Sequence, residues 1–521
     1  MSIQGNWDQR TISRRHLLGW AGMGAGGLAV AASGLSPSSA LAKPFFAGDP
    51  FSLGVASGDP LPDGVVLWTR LAPEPLAEDG SGGLPPETYG VRYEVAEDEG
   101  FSRIVRRGAV EARPELAHSV HVEVEGLRPG REYFYRFKAG PEVSPVGRTK
   151  TAPALGSPTS AFTFAFASCQ AFIAHYSAYY NMAREDLDLV VHLGDYIYEA
   201  NMGASRRGMA IPDHVRPEPR TLDQYRLRYA LYKSDENLQS THAAFPWMVV
   251  WDDHEVENNW AGEDADPDDP NFLERRAAAA QAYYEHLPLR ASAQPRGPDA
   301  QLFRRAAFGD LAEFNVLDTR QYRSDQVGPS EAADPSRTML GDEQEKWLLD
   351  GLDRSSARWN VLANQVPFRP ISEGPRDGEL VEKYLADKWE GYLAQRDRIL
   401  RFLAEREPSN PVMVTGDTHF NDVSDLLADF DDPSSEIVGT EFIGTSISTG
   451  GEGDSDKKYG PFADPWRKFL NNGRGYVRVD LTRELLRADY RVVDTVREPT
   501  SPISTLESFV IEDGRRGVQI A

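Results

Sequence analysis

Apolar residues between Phe51 and Thr151 come in short alternating runs, at 64–70 (GVVLWTR), 91–96, 118–124 and 132–139, separated by Gly, Pro and acidic turns. Successive side chains of a strand point to opposite faces, so this pattern predicts half-buried strands and an all-β sandwich of immunoglobulin or fibronectin type. The stretch 152–160 (APALGSPTS) reads as a linker. Beyond it the pattern changes to continuous apolar runs at 162–167, 187–193, 247–251, 313–317, 359–363, 411–415 and 441–445. Between them lie stretches with apolar residues three and four apart, at 178–185, 222–232, 271–285, 341–354 and 389–405. Buried strands separated by amphipathic helices predict an α/β layer architecture. The runs 475–481 and 486–493 read as a hairpin, and the segment after Thr495 as a polar tail with one short helical possibility. No internal repeat interrupts this two-part plan, which divides into 43–156 and 157–521.

Composition narrows the function classes. The chain has 521 residues, with 40% apolar and 10% aromatic content, which excludes intrinsic disorder and a polytopic membrane protein. Its 80 acidic residues against 56 Lys and Arg give a formal charge of -24, and such a surface repels a phosphate backbone. A nucleic-acid-binding module is therefore not expected. With Cys169 as its one cysteine, the chain cannot form an intrachain disulfide. At the start, Ser13-Arg14-Arg15-His16-Leu17-Leu18 precedes a Gly/Ala-rich apolar stretch and small residues at Ala40-Leu41-Ala42. This is the order of a twin-arginine export signal covering 1–42, cut after Ala42, or alternatively of an uncleaved anchor. It implies the twin-arginine translocation machinery as a partner and a periplasmic or secreted location.

The apolar runs of the second part stop on residues that bind metals. Ser168-Cys169-Gln170 follows the first, Gly194-Asp195-Tyr196-Ile197-Tyr198-Glu199 the second, and Asp252-Asp253-His254-Glu255 the third; Asn364-Gln365 and Gly416-Asp417-Thr418-His419 follow two later runs. In open α/β sheets the carboxyl ends of strands converge on one crevice, so five such endings predict one shared metal site. Asp195 and Tyr198 are spaced to face one ion, Asp417 and His419 to face different ions. Adjacent Asp252 and Asp253 are expected to point to opposite sides, with only one of them binding metal. Carboxylate, phenolate and thiolate together suit Fe(III) better than Mg2+. Ordinary alternatives stand beside these readings: Cys169 as a small buried hydrophobe, Tyr198 as aromatic packing, and His118, His121 and His192 as structural histidines.

At these residues the sequence resembles the PhoD-like alkaline phosphatases of the metallophosphoesterase superfamily, to which the purple acid phosphatases also belong. The match runs through Ala167-Ser168-Cys169-Gln170, the 194–199 and 251–255 stretches, Leu317-Asp318-Thr319-Arg320-Gln321-Tyr322-Arg323 and 416–419. The resemblance implies a four-layer αββα metallophosphoesterase domain behind the sandwich and phosphomonoesterase or phosphodiesterase activity on small phosphate esters. It also implies a centre with Fe(III) and Ca2+. The usual superfamily signatures, Asp-x-His and Gly-His-x-His, are absent; Cys169 stands in the first and Asp417 replaces a histidine of the second. Carried over by position, Cys169, Tyr198 and His419 bind iron, Asp195 bridges, and Asp253 and Asp417 bind calcium, with Asn364 added to the calcium side. His254 does not bind metal; it contacts phosphate and serves as proton donor or electrostatic clamp for the leaving group. Arg320, with Arg323, either clamps phosphate or pairs with Asp318, and Asn259 either touches phosphate or shapes its loop.

The expected mechanism is direct attack on phosphorus by a metal-bound hydroxide, releasing inorganic phosphate from a monomeric enzyme. A phospholipase D-type phosphodiesterase and, from another class, a metal-stabilised cell-surface binding protein are the rival readings.

Overall fold

The computed structural model describes residues 46–521 apart from 266–268, 372, 377–378 and 383–385; the export signal at 1–42 lies outside them. In the N-terminal part, Val55–Leu61, Gly64–Arg70 and Ser119–Glu125 pair antiparallel in turn. A second, five-stranded sheet is built on Tyr89–Ala96, with Ile104–Ala112 on one side and Glu132–Ala139 on the other. Between the two sheets lies a core of Val65, Leu67, Val91, Val95, Val122, Tyr135 and Phe137. The strands Val55–Leu61 and Ile104–Ala112 were not among the sequence expectations. VASGDPL carries Gly, Asp and Pro, and IVRRGAVEA is largely exposed, so neither shows a clean apolar alternation.

The first of these sheets does not stop at residue 156. Val55–Leu61 pairs parallel with Pro246–Val249, which makes the three N-terminal strands one end of a ten-stranded sheet. Its centre is Ala161–Ala167, Leu189–His192 and Pro246–Val249, all parallel, and its far end is Gly475–Thr482, Leu485–Val493, Ile503–Glu512 and Gln519–Ile520. The segment after Thr495, expected as a tail with a short helix, therefore has strands as its regular elements. Leu485–Val493 supplies a ladder to which Ile503–Glu512 pairs antiparallel, a tertiary partner that outweighs a weak local pattern.

A seven-stranded sheet packs on the ten-stranded one. Phe162 packs at a tilt against Phe308 at 4.3 Å and Phe164 edge-to-face against Phe314 at 5.0 Å between ring centroids, so the two sheets share an aromatic core. Alternation within Trp359–Ala363 and Pro411–Thr415 decides what faces what. Val361, Ala363, Val412 and Val414 join the core between sheets. Leu362 and Met413 turn outward to Leu348, Leu352, Ile399 and Leu403 of helices Gly341–Arg354 and Leu393–Arg406. Among the described residues no helix is long and apolar enough to cross a membrane.

Candidate metal centre

The two sheets meet at one edge, where Ser168, just past Ala161–Ala167, forms a parallel bridge with Ser446, just past Ile437–Ile443. Around this seam the predicted strand endings converge. Cys169, Asp195 and His419 bring ligand atoms within 4.8 Å of one another, as do Asp195, Asp253 and His254, and also Asp252, Asp253 and Asp417. Asp195 and Asp253 thus join one end of the cluster to the other. Five residues here, Cys169, Asp195, Asn259, Asp417 and His419, have φ between 56° and 69°, the left-handed region that side chains disfavour. Such strain persists only where surrounding structure over-determines it. Gly194 shows how close the loops run, since a Cβ there would lie 2.4 Å from the Asp252 Cβ.

Among the residues expected to bind iron, Tyr198 joins Asp195 and His419. The Tyr198 hydroxyl donates to Asp195 Oδ2 at 2.7 Å and lies 3.2 Å from His419 Nε2, so this tyrosine is more than packing. Burial, reinforced by the Asp195 charge, pushes the Cys169 thiol and the Tyr198 phenol well above their usual ranges. Burial likewise lowers His419 to about 3, leaving a neutral imidazole able to ligate. Asp195 Oδ1 and Asp252 Oδ2 are buried without any hydrogen-bond partner. Orphan carboxylate oxygens beside a thiol and a neutral imidazole fit a bound cation, and they are costly without one.

Asp252 and Asp253 depart from the expectation that they point apart. The strand ends at Val249, so strand alternation no longer applies, and both carboxylates reach the group with Asp417. They differ in state. Burial raises Asp252 to about 7 against the opposing Arg320 charge, whereas for Asp253 the Arg320 and His254 charges overcome burial and hold it ionised. Asp253 also accepts from the backbone N–H groups of His254 (2.9 Å) and Asn259 (2.8 Å), so Asn259 at least shapes this loop. Lys388 Nζ lies 2.5 Å from Asp417 Oδ2 and 2.9 Å from Asp387 Oδ2.

Two candidates are placed differently from the sequence reading. Arg320 is wholly buried: Nε donates to Asp252 Oδ1 at 2.6 Å, and Nη1 and Nη2 to Asp387 at 2.6 and 3.0 Å. Nη2 also lies 3.8 Å from Asp253 Oδ2, so the guanidinium is committed to Asp252, Asp387 and Asp253 and leaves no free fork for phosphate; with Asp318, Arg320 bonds only through its backbone N–H. Asn364 donates to Val366 O and to Thr415 Oγ1, while its carbonyl accepts from Trp389 Nε1 at 3.2 Å, an amide occupied in holding the strand ends.

The residues that support the cluster were not among the sequence expectations. Glu199 Oε2 lies 2.7 Å from His254 Nδ1, and Oε1 accepts from Asn258 N. Burial alone would lower His254, but the Asp253, Glu199 and Asp195 charges prevail and raise it well above its ordinary value. Glu255 is fully buried and gathers the backbone N–H groups of Asp195, Tyr196 and Asp252, fastening two ligand loops together. Arg474 donates to the carbonyls of His419, Gly450 and Gly451. Glu199 and Glu255 stood within the quoted motifs as acidic neighbours; Lys388, Asp387 and Arg474 gave no local signal.

Known proteins resemble this chain over nearly its whole length. The family model of the PhoD-like phosphatase matches residues 164–490, and that of the PhoD-like phosphatase N-terminal domain matches residues 36–153. Alkaline phosphatase D of Bacillus subtilis (strain 168) is 49% identical over 533 residues, covering 99% of this chain and 90% of that protein. The solved structure of PhoD superposes with a TM-score of 0.85 at 48% identity, covering 92% of this chain and 93% of that one.

Proposed function

The chain belongs to the PhoD-like phosphatase family, and from that premise we propose that it is an exported, metal-dependent phosphatase that hydrolyses small phosphate mono- or diesters and releases inorganic phosphate. The observation that carries this reading is the triple overlap of Cys169–Asp195–His419, Asp195–Asp253–His254 and Asp252–Asp253–Asp417 at one sheet edge. Cys169, Tyr198 and His419 would hold Fe(III), Asp195 would bridge, and Asp253 and Asp417, with Asp252 beside them, would hold Ca2+. Bound cations supply Lewis acidity toward water and toward the phosphoryl oxygens, the positive charge that this acidic chain otherwise lacks. The packing of helices outside two facing sheets is read as the four-layer αββα arrangement.

The chain's own residues do the rest. Glu199 holds His254 by Nδ1, which leaves Nε2 to hydrogen-bond the ester and give a proton to the departing alkoxide. Arg320 fixes Asp252 and Asp387, and Glu255 fixes the loops, so the ligand carboxylates are held before substrate arrives. Hydrolysis of phosphate esters by the exported enzyme, with visible absorption from thiolate or phenolate on Fe(III), tests the reading. His254→Ala should retain iron and lose roughly 10²- to 10⁴-fold in kcat. A colourless, iron-free preparation with full activity would remove the assignment of Cys169 and Tyr198.

A further inference from the structure

Beyond the metal centre, the loop that follows Cys169 and the glycine loop that follows Thr449 run on together. Thr449 Oγ1 donates to Cys169 O at 2.7 Å and accepts from Ala171 N at 3.0 Å. A Cβ on Gly450 would lie 3.8 Å from His419 Nδ1. Immediately past this seam the same two loops open into a cavity of about 580 Å3, bordered by Ile173, His175, Arg207, Gly451, Val496 and Arg497. Arg207 also borders a neighbouring cavity of about 630 Å3.

Arg207 sits at the tip of a short hairpin, with φ of 52°, between the strands Ser205–Arg206 and Met209–Ala210. Its guanidinium lies over the rings of Phe172 (4.0 Å) and Tyr176 (3.8 Å), and its side chain is only 5% exposed. Nη1 donates to Asp235 Oδ2 at 2.7 Å, but Nε and Nη2 are buried without a partner. Those two nitrogens form the edge with which arginine binds an oxyanion in a bidentate manner. At two other arginines that edge is filled: Arg226 gives Nε and Nη2 to Glu285, each at 2.7 Å, and Arg304 gives the same pair to Asp59. A buried donor without an acceptor is costly, and an unpaired fork on a side chain that borders a cavity is satisfied when an oxyanion reaches it. Arg497 adds a second cation at the same cavity, exposed and paired with Glu452 at 2.9 Å.

We propose that this cavity is a subsite for a second anionic group on the substrate, a carboxylate or phosphate carried on the alcohol side of the ester and received by the open fork of Arg207. The inference rests on the phosphatase reading of the metal centre. It would make the enzyme select esters whose leaving group is itself charged, although the protein as a whole is acidic.

The test compares n-alkyl monophosphates of three to eight carbons with α,ω-alkanediol bisphosphates and ω-phosphonooxy alkanoates of the same lengths, using the full metal-loaded enzyme. The expected result is a preference in kcat/KM of about tenfold or more for one or both charged series, peaking at one chain length. The two charged series separate phosphate from carboxylate as the group received. Arg207→Lys keeps the charge and loses the fork, so it should erase the preference and leave the alkyl phosphates unchanged. Ile173→Glu, at an exposed rim position, should do the same by offering the fork an internal carboxylate, and it keeps the test decisive should the Arg207 variant unfold. Equal rates on charged and uncharged esters in the parent, or a preference that survives these variants, would overturn the proposal. Failure of the parent to hydrolyse any of the esters would instead remove the phosphatase reading itself, and this inference with it.

Discussion

Two buried charged sites in this protein, each joining carboxylate to cation, solve opposite problems. Asp422, in strand Asn421–Leu427, accepts from Arg369 on both oxygens, from Arg467 Nε and from Ser424 Oγ, all from regular or well-supported backbone. One carboxylate is matched there by two guanidinium groups. At the sheet edge, Asp195, Asp252, Asp253, Asp417 and Glu255 crowd around Arg320, Lys388 and His254, with two oxygens unpartnered and five residues in left-handed backbone. The first cluster is complete by itself. The second has carboxylates in excess of its cations, an arrangement that becomes favourable when positive charge comes from outside the chain.

The largest effect expected from breaking this contrast is at Asp195. Asp195→Asn should lower phosphoester hydrolysis by more than the roughly 10- to 100-fold typical of losing a metal-supporting partner, with a fall in bound metal. In metal-stripped protein the same change relieves carboxylate repulsion, so thermal unfolding should shift upward or stay constant. A clear drop in unfolding temperature would place Asp195 in the class of Asp422. Asp422→Asn should behave in the reverse way. It strands two buried guanidinium groups, which costs about 3–5 kcal/mol in denaturant titrations, while activity per folded molecule stays unchanged.

A smaller change separates support from ligation. Glu199→Gln keeps the shape and a hydrogen bond to His254 but removes the charge. Roughly 10- to 100-fold should be lost from kcat, with KM and metal content held; a loss of metal instead would make Glu199 a ligand.

Much of the fold was legible because local pattern and tertiary role agree in it. Trp359–Ala363 and Pro411–Thr415 are continuous apolar runs that lie buried on both faces, and helix Gly341–Arg354 has the spacing it needs. Val55–Leu61 and Ile503–Glu512 were not legible: the first carries Gly, Asp and Pro and, besides its hairpin with Gly64–Arg70, pairs with Pro246–Val249 nearly 190 residues away, and the second pairs with Leu485–Val493 across a weakly patterned loop. The candidate site divides along the same line. Residues standing at strand ends, such as Cys169, Asp195 and Asp417, announce themselves by chemistry out of keeping with an ordinary loop. Asp387, Lys388 and Arg474 come from loops whose function exists only once the sheets have packed. Arg320 was seen, but its role depends on Asp387, which no spacing connects to it.

Lys233 extends the comparison to a buried cation with no carboxylate in its hydrogen-bonding reach. Its ammonium lies over the Trp68 ring at 4.1 Å and donates to the Tyr196 hydroxyl at 3.4 Å, and burial lowers its pKa from 10.5 to about 7. The native state therefore binds fewer protons than the unfolded state between pH 7 and 10.5, and this group makes stability rise with pH across that window. Below pH 7 the folded protein carries the buried charge and its full cost. Lys233→Met has no such charge, so it should be more stable than the parent by about 1–2 kcal/mol near pH 6, the Trp68 face offsetting part of the penalty in the parent. The advantage should shrink steadily up to about pH 10.5, because above that pH the lysine is neutral in both states. Denaturant titrations of both proteins at pH 6, 8 and 10 check this. A difference that does not vary with pH would mean that Lys233 is as well compensated as the guanidinium groups around Asp422, and that Tyr196 or a bound water supplies what its surroundings lack.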